Sequence, residues 1–408
     1  MMQNIQNRRF KKLKFIITCV FLGVLISVAM VEICLMLIGF NKPIFHKIDR
    51  ELGIAHRPNV SGWQNAEGES FVSINRHGFH DRNRNIKKSS GVVRVAVLGD
   101  SYAEAMQVDG DQNFSSVSER LLNDSSNFNF EVLNFGVSGY GTTQELLLLK
   151  QKVIHYSPDI VVLAFLTGND IRNNSKELEG SPRPFFIKKG SEYVLDESFR
   201  ESDYFAKRSS FVARALVGMA DYSRLVQLLN KVRTNLRTRA KVQTHSGSQA
   251  SSKVELGLDS EIYRAPTSPE WIEAWQVTEY LFKEFAKEVE SQGAQFLLVT
   301  LSNGIQVDPR VEERRRMLDA LEVDDLFYPD RRVEQFCNEN DIPVLVLAPL
   351  LRQMAEKEMI SLHGFQNTGP FKGHWNQNGH RLAGELISKR ILELLGNSVG
   401  LTGSQLVD

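Results

Sequence analysis

Five short apolar runs constrain this chain more than any other feature. They are Val92–Leu98, Phe130–Phe135, Ile160–Leu166, Gln295–Leu301 and Pro343–Ala348. Near-continuous runs of this length, rich in β-branched residues, mark strands buried on both faces, and such strands pair in parallel under a cover of helices. Helical patterns fill the intervals, at about Asn113–Asn123, Thr142–His155, Val311–Leu321 and Arg331–Asn338. A further helix opens at Ser268-Pro269-Glu270, an N-cap followed by proline, and runs to about Gln292. The last spans about Gly379–Leu395. The expected fold is α/β: a doubly wound, five-stranded parallel sheet with helices on both faces.

An N-terminal transmembrane helix is expected ahead of it. Phe15–Phe40 is 26 residues long with one charge, Glu32. As a helix it spans roughly 39 Å, enough to cross a hydrocarbon core of about 30 Å. Arg8, Arg9, Lys11, Lys12 and Lys14 precede it, which places that end in the cytoplasm and the body in the periplasm or outside the cell. A cleaved signal peptide is the competing reading, opposed by the length of the run and by the absence of a small-x-small site. Glu32, with eight residues of the run after it, is expected close to the outer interface rather than in a helix–helix contact inside the bilayer.

The expected organisation is a basic tail (1–14), an anchor (15–40), a polar, irregular extension (41–90), the α/β domain (91–396) and a frayed tail (397–408). An insertion at 174–267 interrupts the domain; it holds an apolar helical piece near Phe211–Val232 and a polar tract expected to be disordered around Ser246–Ser252. The 49 basic and 49 acidic residues balance, so neither nucleic acid nor another polyanion is an expected partner. Cys19 and Cys34 lie in the apolar run and Cys337 stands alone, which leaves the body without a disulfide framework.

The candidate chemistry lies where the runs end. The first ends in Gly99-Asp100-Ser101, which delivers a serine to the carboxyl edge of the sheet, where open α/β sheets bind ligands. The second ends in Asn134-Phe135-Gly136-Val137-Ser138-Gly139-Tyr140-Gly141. Its glycines either form a tight turn capped by Thr142 or Thr143, or present free N–H groups to a ligand. The spacing is not that of a dinucleotide loop. The third ends in Thr167-Gly168-Asn169-Asp170, where Asn169 either caps a turn or donates to an oxyanion. Gly373-His374-Trp375-Asn376-Gln377-Asn378-Gly379-His380 supplies two histidines, one a candidate base and the other, His380, a candidate structural residue. His363, His374 and His380 are too irregularly spaced for a zinc site.

In this order the four blocks resemble the SGNH (GDSL-type) hydrolase superfamily, over about Val92–Leu395. Its membrane-anchored bacterial subgroup ends in a D-G-H-W-N-x-x-G-H pattern, and periplasmic polysaccharide acetyltransferases share a similar Asp-x-His-Trp motif. The resemblance implies Ser101 as nucleophile and His374 as base. It implies an oxyanion hole from the Ser101 and Gly139 N–H groups and the Asn169 side chain, with no metal and no cofactor. Asp100 would brace the turn.

One position departs from the pattern. Lys372 stands where the subgroup carries the acid that orients the histidine, and Phe371 fills the alternative D-x-x-H position. Three outcomes are open: a Ser–His dyad, an acid from elsewhere such as Asp170, or a fold that has lost its chemistry. Lys372 is expected to lower the His374 pKa by like-charge proximity. The implied activity is a serine esterase acting on ester-linked acyl groups, O-acetyl foremost, of an envelope carbohydrate. The alternatives are an O-acyltransferase served by an integral-membrane acyl donor, and a degenerate glycan-binding or scaffold protein.

Overall fold

The computed structural model describes residues 2–245 and 258–399. The chain divides into two compact units, 1–44 with 210–247 and 45–209 with 248–408. It opens with helix α1 (Met2–Leu37), of which Asn7–Leu37 is long and apolar enough to cross a membrane. Four short strands follow: β1 (His46–Asp49), β2 (Gly53–His56), β3 (Ser61–Gln64) and β4 (Ser70–Ser73). They pair as two antiparallel hairpins, β1 with β2 and β3 with β4. The stretch expected to be irregular is therefore folded, and from residue 45 it belongs to the same unit as the sheet. Strands of four residues under a polar composition left no run to read.

The sheet begins with β5 (Val92–Gly99), which passes into the one-turn helix α2 (Ser101–Glu104). Helix α3 (Phe114–Asp124), β6 (Asn129–Asn134), α4 (Thr142–Gln151), β7 (Ile160–Leu166) and α5 (Asp170–Asn173) continue it. Next come the hairpin β8 (Phe185–Lys189) and β9 (Glu192–Asp196), then α6 (Asp203–Ser209), α7 (Phe211–Tyr222) and α8 (Arg224–His245). The span 174–267 thus contributes its hairpin and α6 to the sheet's unit, and α7 and α8 to the unit of α1. Ser246–Ser252 lies outside the described residues.

The third part of the chain holds α9 (Pro269–Ser291), β10 (Gln295–Leu301), α10 (Gly304–Val307), α11 (Val311–Leu321) and α12 (Tyr328–Glu339). It ends with β11 (Val344–Val346), α13 (Leu347–Glu358), the hairpin β12 (His363–Phe365) and β13 (Gly369–Trp375), and α14 (Gln377–Val399). Ser268 caps α9, its side chain accepting from the Trp271 N–H, as the Ser-Pro start predicts. The run Pro343–Ala348 proves to be a three-residue strand whose Leu347 and Ala348 already belong to a helix. An apolar run alone does not separate the two states.

The five strands are parallel in the order β11-β10-β7-β5-β6, the expected doubly wound α/β sheet. Side chains of β7 alternate between two cores. Val161, Leu163 and Phe165 enter one with α4, α9 and α12. Ile160, Val162, Ala164 and Leu166 enter the other with α3, α13 and α14. The strand order reverses between β5 and β7, the switch point where such sheets open a crevice beyond their carboxyl ends. Ser101 follows one of these strands and Asn169 the other.

Candidate active site

Ser101 is the first residue of α2, and the preceding Asp100 fixes the turn. The Asp100 carboxylate accepts from the Tyr102 N–H at 2.9 Å and from the Asn169 amide at 3.3 Å, a bridge across the switch point. The loop after β6 packs directly on this turn. A Cβ at Gly136 would lie 2.2 Å from the Glu104 nitrogen, so only glycine permits the approach.

His374 stands on β13, held by a neutral histidine. The Gly373 carbonyl accepts from His363 Nδ1–H at 2.7 Å and from the Tyr102 hydroxyl at 3.0 Å. A carbonyl only accepts, so the proton is on Nδ1 and His363 Nε2 accepts from the Ser302 hydroxyl at 3.1 Å. Ser302 in turn accepts from the Trp375 indole N–H at 2.9 Å. Burial pushes the His363 pKa down to about 4, which keeps this relay uncharged. His363 serves here as a support, a part the sequence reading did not give it. His380 is buried against Phe114 and Trp375 and accepts from the Phe114 N–H at 3.4 Å; burial lowers its pKa to about 3.

The imidazole of His374 joins a serine and an acid. Nε2 lies 2.8 Å from Ser101 Oγ. Nδ1 lies 2.5 Å from Oε2 of Glu67, whose Oε1 accepts from the His374 backbone N–H at 2.7 Å. Glu67 sits in the turn between β3 and β4. Asn367, from the β12–β13 turn, clamps that turn: its side-chain oxygen accepts from the Gly68 N–H at 3.0 Å, and its amide donates to the carbonyls of Gly68 and Asn65. Gly373 makes room for the acid. It has φ +82°, and a Cβ there would lie 2.0 Å from Glu67 Oε1.

The pair shares a charge. Burial opposes ionisation of both groups. The hydrogen bonds and attraction between them outweigh it, so the Glu67 pKa is lowered and the His374 pKa is raised. The expected lowering of His374 by Lys372 is corrected, because the carboxylate touching the ring decides the sign. The structure likewise brings Glu67, and neither Asp170 nor Asp100, to the imidazole. Asp170 accepts from the Leu166 N–H at 2.7 Å below the Asn169 turn. Burial holds Asp100 above the ordinary carboxylate range, and burial with neighbouring acids holds Asp170 and Glu145 well above it.

The N–H groups of Ser101 and Gly139 have no hydrogen-bond partner among the described residues. Gly139 is exposed with φ +76°. Beside it, the Ser138 N–H donates to Glu104 at 2.9 Å. The same Glu104 oxygen meets Nε2 of His56 at 2.6 Å and of His46 at 3.3 Å. These imidazoles overcome burial and hold Glu104 well below the usual carboxylate range. The ligand atoms of this trio lie within 4.8 Å of one another, the one such metal-competent group among the described residues; direct hydrogen bonds join them.

No family model and no curated protein matches this sequence. Solved structures that match include a GDSL-like lipase from Bacteroides thetaiotaomicron, 11% identical, covering 74% of this chain and 88% of that one at a TM-score of 0.32. Another is an acetyl xylan esterase from Geobacillus stearothermophilus, 12% identical, covering 75% and 97% at a TM-score of 0.35. The functional reading rests on the site's own geometry.

Proposed function

We propose that this protein is a serine esterase of the SGNH type. It is tethered by α1 with its basic tail in the cytoplasm, and it removes acyl groups, O-acetyl foremost, from an envelope carbohydrate. The observation that carries the catalytic reading is the unbroken hydrogen-bonded series from Ser101 Oγ through both nitrogens of His374 to Glu67. His374 Nε2 takes the Ser101 proton as Oγ attacks the ester carbonyl. The Ser101 and Gly139 N–H groups and the second amide hydrogen of Asn169 hold the oxyanion. Glu67 fixes the ring tautomer and stabilises the imidazolium. His374 then returns its proton to the leaving sugar oxygen, and water, activated by the same ring, releases the acid.

The substrate class follows from the resemblance and the outward tether. A binding-only role drew its main support from the missing local acid, and Glu67 occupies that place. Transfer to a sugar hydroxyl would use the same acyl-enzyme, so product analysis with and without a sugar acceptor separates the two reactions.

The test is covalent labelling of the full-length protein by a fluorophosphonate, beside Ser101→Ala and His374→Ala. Labelling that needs both residues is expected. A folded sample that stays unlabelled between about pH 6 and 9 overturns the reading.

A further inference from the structure

We propose that α7 and α8 form an interfacial hairpin, its apolar face in the outer leaflet beside α1 and its basic residues among anionic lipid headgroups. The proposal rests on the reading of α1 as a membrane span.

The hairpin is fastened to the end of α1. The Glu32 carboxylate accepts from the Ser223 hydroxyl at 3.0 Å and from the N–H groups of Arg224 and Leu225, which caps the start of α8. Gln227 accepts from the Lys42 N–H and donates to the Ala220 carbonyl, both at 2.8 Å. If α1 crosses a bilayer, its end and the segment after it, residues 32–42, reach the outer interface, and these bonds hold the α7–α8 junction at that depth.

The exposed face of α7 is apolar. The helix buries Ala220 and leaves Phe211, Val212, Leu216, Met219 and Tyr222 in the open, Phe211 at 77% and Tyr222 at 92% exposure. At about 100° per residue these five share one arc, with Arg214 and Asp221 off it. In α8, Leu229, Val232 and Leu236 repeat the pattern at i, i+3 and i+7, also exposed. Among its 22 residues are six Lys or Arg and no Asp or Glu, in a chain whose net charge is zero.

An apolar stripe beside a run of cations fits the boundary between acyl chains and anionic headgroups. At 12 residues α7 is about 18 Å long, too short to span a core of about 30 Å, so it lies flat. The basic residues of α8 bar that helix from the hydrocarbon.

The test places an environment-sensitive fluorophore on Val212→Cys or Met219→Cys, with Cys19 and Cys34 replaced by Ser. The full-length protein is reconstituted in nanodiscs containing lipids brominated on their acyl chains. Val20→Cys in α1 reports the anchor, and the exposed Lys287→Cys reports water. Quenching at 212 and 219 that approaches that at 20 and exceeds that at 287 several-fold is expected. Water-like signals at 212 and 219 beside a quenched 20 overturn the proposal and leave that face to a protein partner or a second copy. An unquenched 20 overturns the anchor reading and the proposal with it. Arg233→Glu should reduce quenching at 212 in anionic discs more than in zwitterionic ones; an equal effect overturns the headgroup part.

Discussion

Glu67 and His374 are 307 positions apart in the chain and 2.5 Å apart in space. The acid reaches the base from outside the parallel sheet, on a turn of the β3–β4 hairpin. The base stands on a second hairpin, β12–β13, and Asn367 of that hairpin bonds to the turn that carries Glu67. Two small hairpins holding one another thus set the position that the resembled pattern fills from the residue two before the histidine.

Replacing Glu67 by Gln keeps the shape and inverts the hydrogen bonding. An amide NH₂ facing Nδ1 would put the ring proton on Nε2, against Ser101, where it cannot act as a base. The corresponding change in a serine protease costs on the order of 10⁴ in turnover. A kcat loss of about 10³ to 10⁴ in a protein that keeps its native circular dichroism is the expected result. Turnover within about threefold of the parent would show that the dyad works alone.

Gly373→Ala tests the same contact from the other side. Its methyl would occupy the place of Glu67 Oε1 at a φ that costs a non-glycine residue about 1–2 kcal/mol. Activity should fall towards that of Glu67→Gln. The double variant should be no worse than the poorer single, since residues acting as one unit are not additive. Additive losses would sink the argument that glycine is there to admit the acid.

The sheet was legible because its strands are short, mostly apolar runs, and Ile160–Leu166 and Gln295–Leu301 are strands over the residues read. Ser101, Gly139 and Asn169 were legible as candidates because each follows such a run. Glu67 was not. Its partner is fixed by tertiary contact, and the strands beside it have four residues each. The available signal was slight: the Glu67-Gly68 turn between two short segments. The relay through Ser302 and His363 was hidden for the same reason, since its members lie on three separate segments.

Asn169 donates one amide hydrogen to Asp100, and the proposed mechanism assigns the other to the oxyanion. Asn169→Ala should lower kcat by about 10² to 10³ with little change in KM, because an oxyanion donor acts chiefly in the transition state. A rise in KM at constant kcat would instead assign Asn169 to ground-state binding. Circular dichroism and Tm guard against a fold defect, since Asp100 also loses a partner.

Activity and stability should respond to pH in opposite senses above neutrality. His374 must be unprotonated to take the serine proton, and Glu67 raises its pKa above the ordinary 6.5, against the effect of burial. The acid limb of kcat/KM is therefore expected to have its midpoint above 6.5 and to move down in Glu67→Gln. Stability follows the sign of each shift. The raised histidine contributes fully below 6.5, and its contribution fades as pH climbs through its folded value. The lowered Glu67 contributes fully above its ordinary 4.5, and its contribution fades as pH falls through its folded value. Both hold between 4.5 and 6.5, where the pair is charged on both sides. The Tm gap between the parent and Glu67→Gln should be widest in that window and shrink in alkali, as turnover rises. A gap that widens towards alkali would contradict the charged pair.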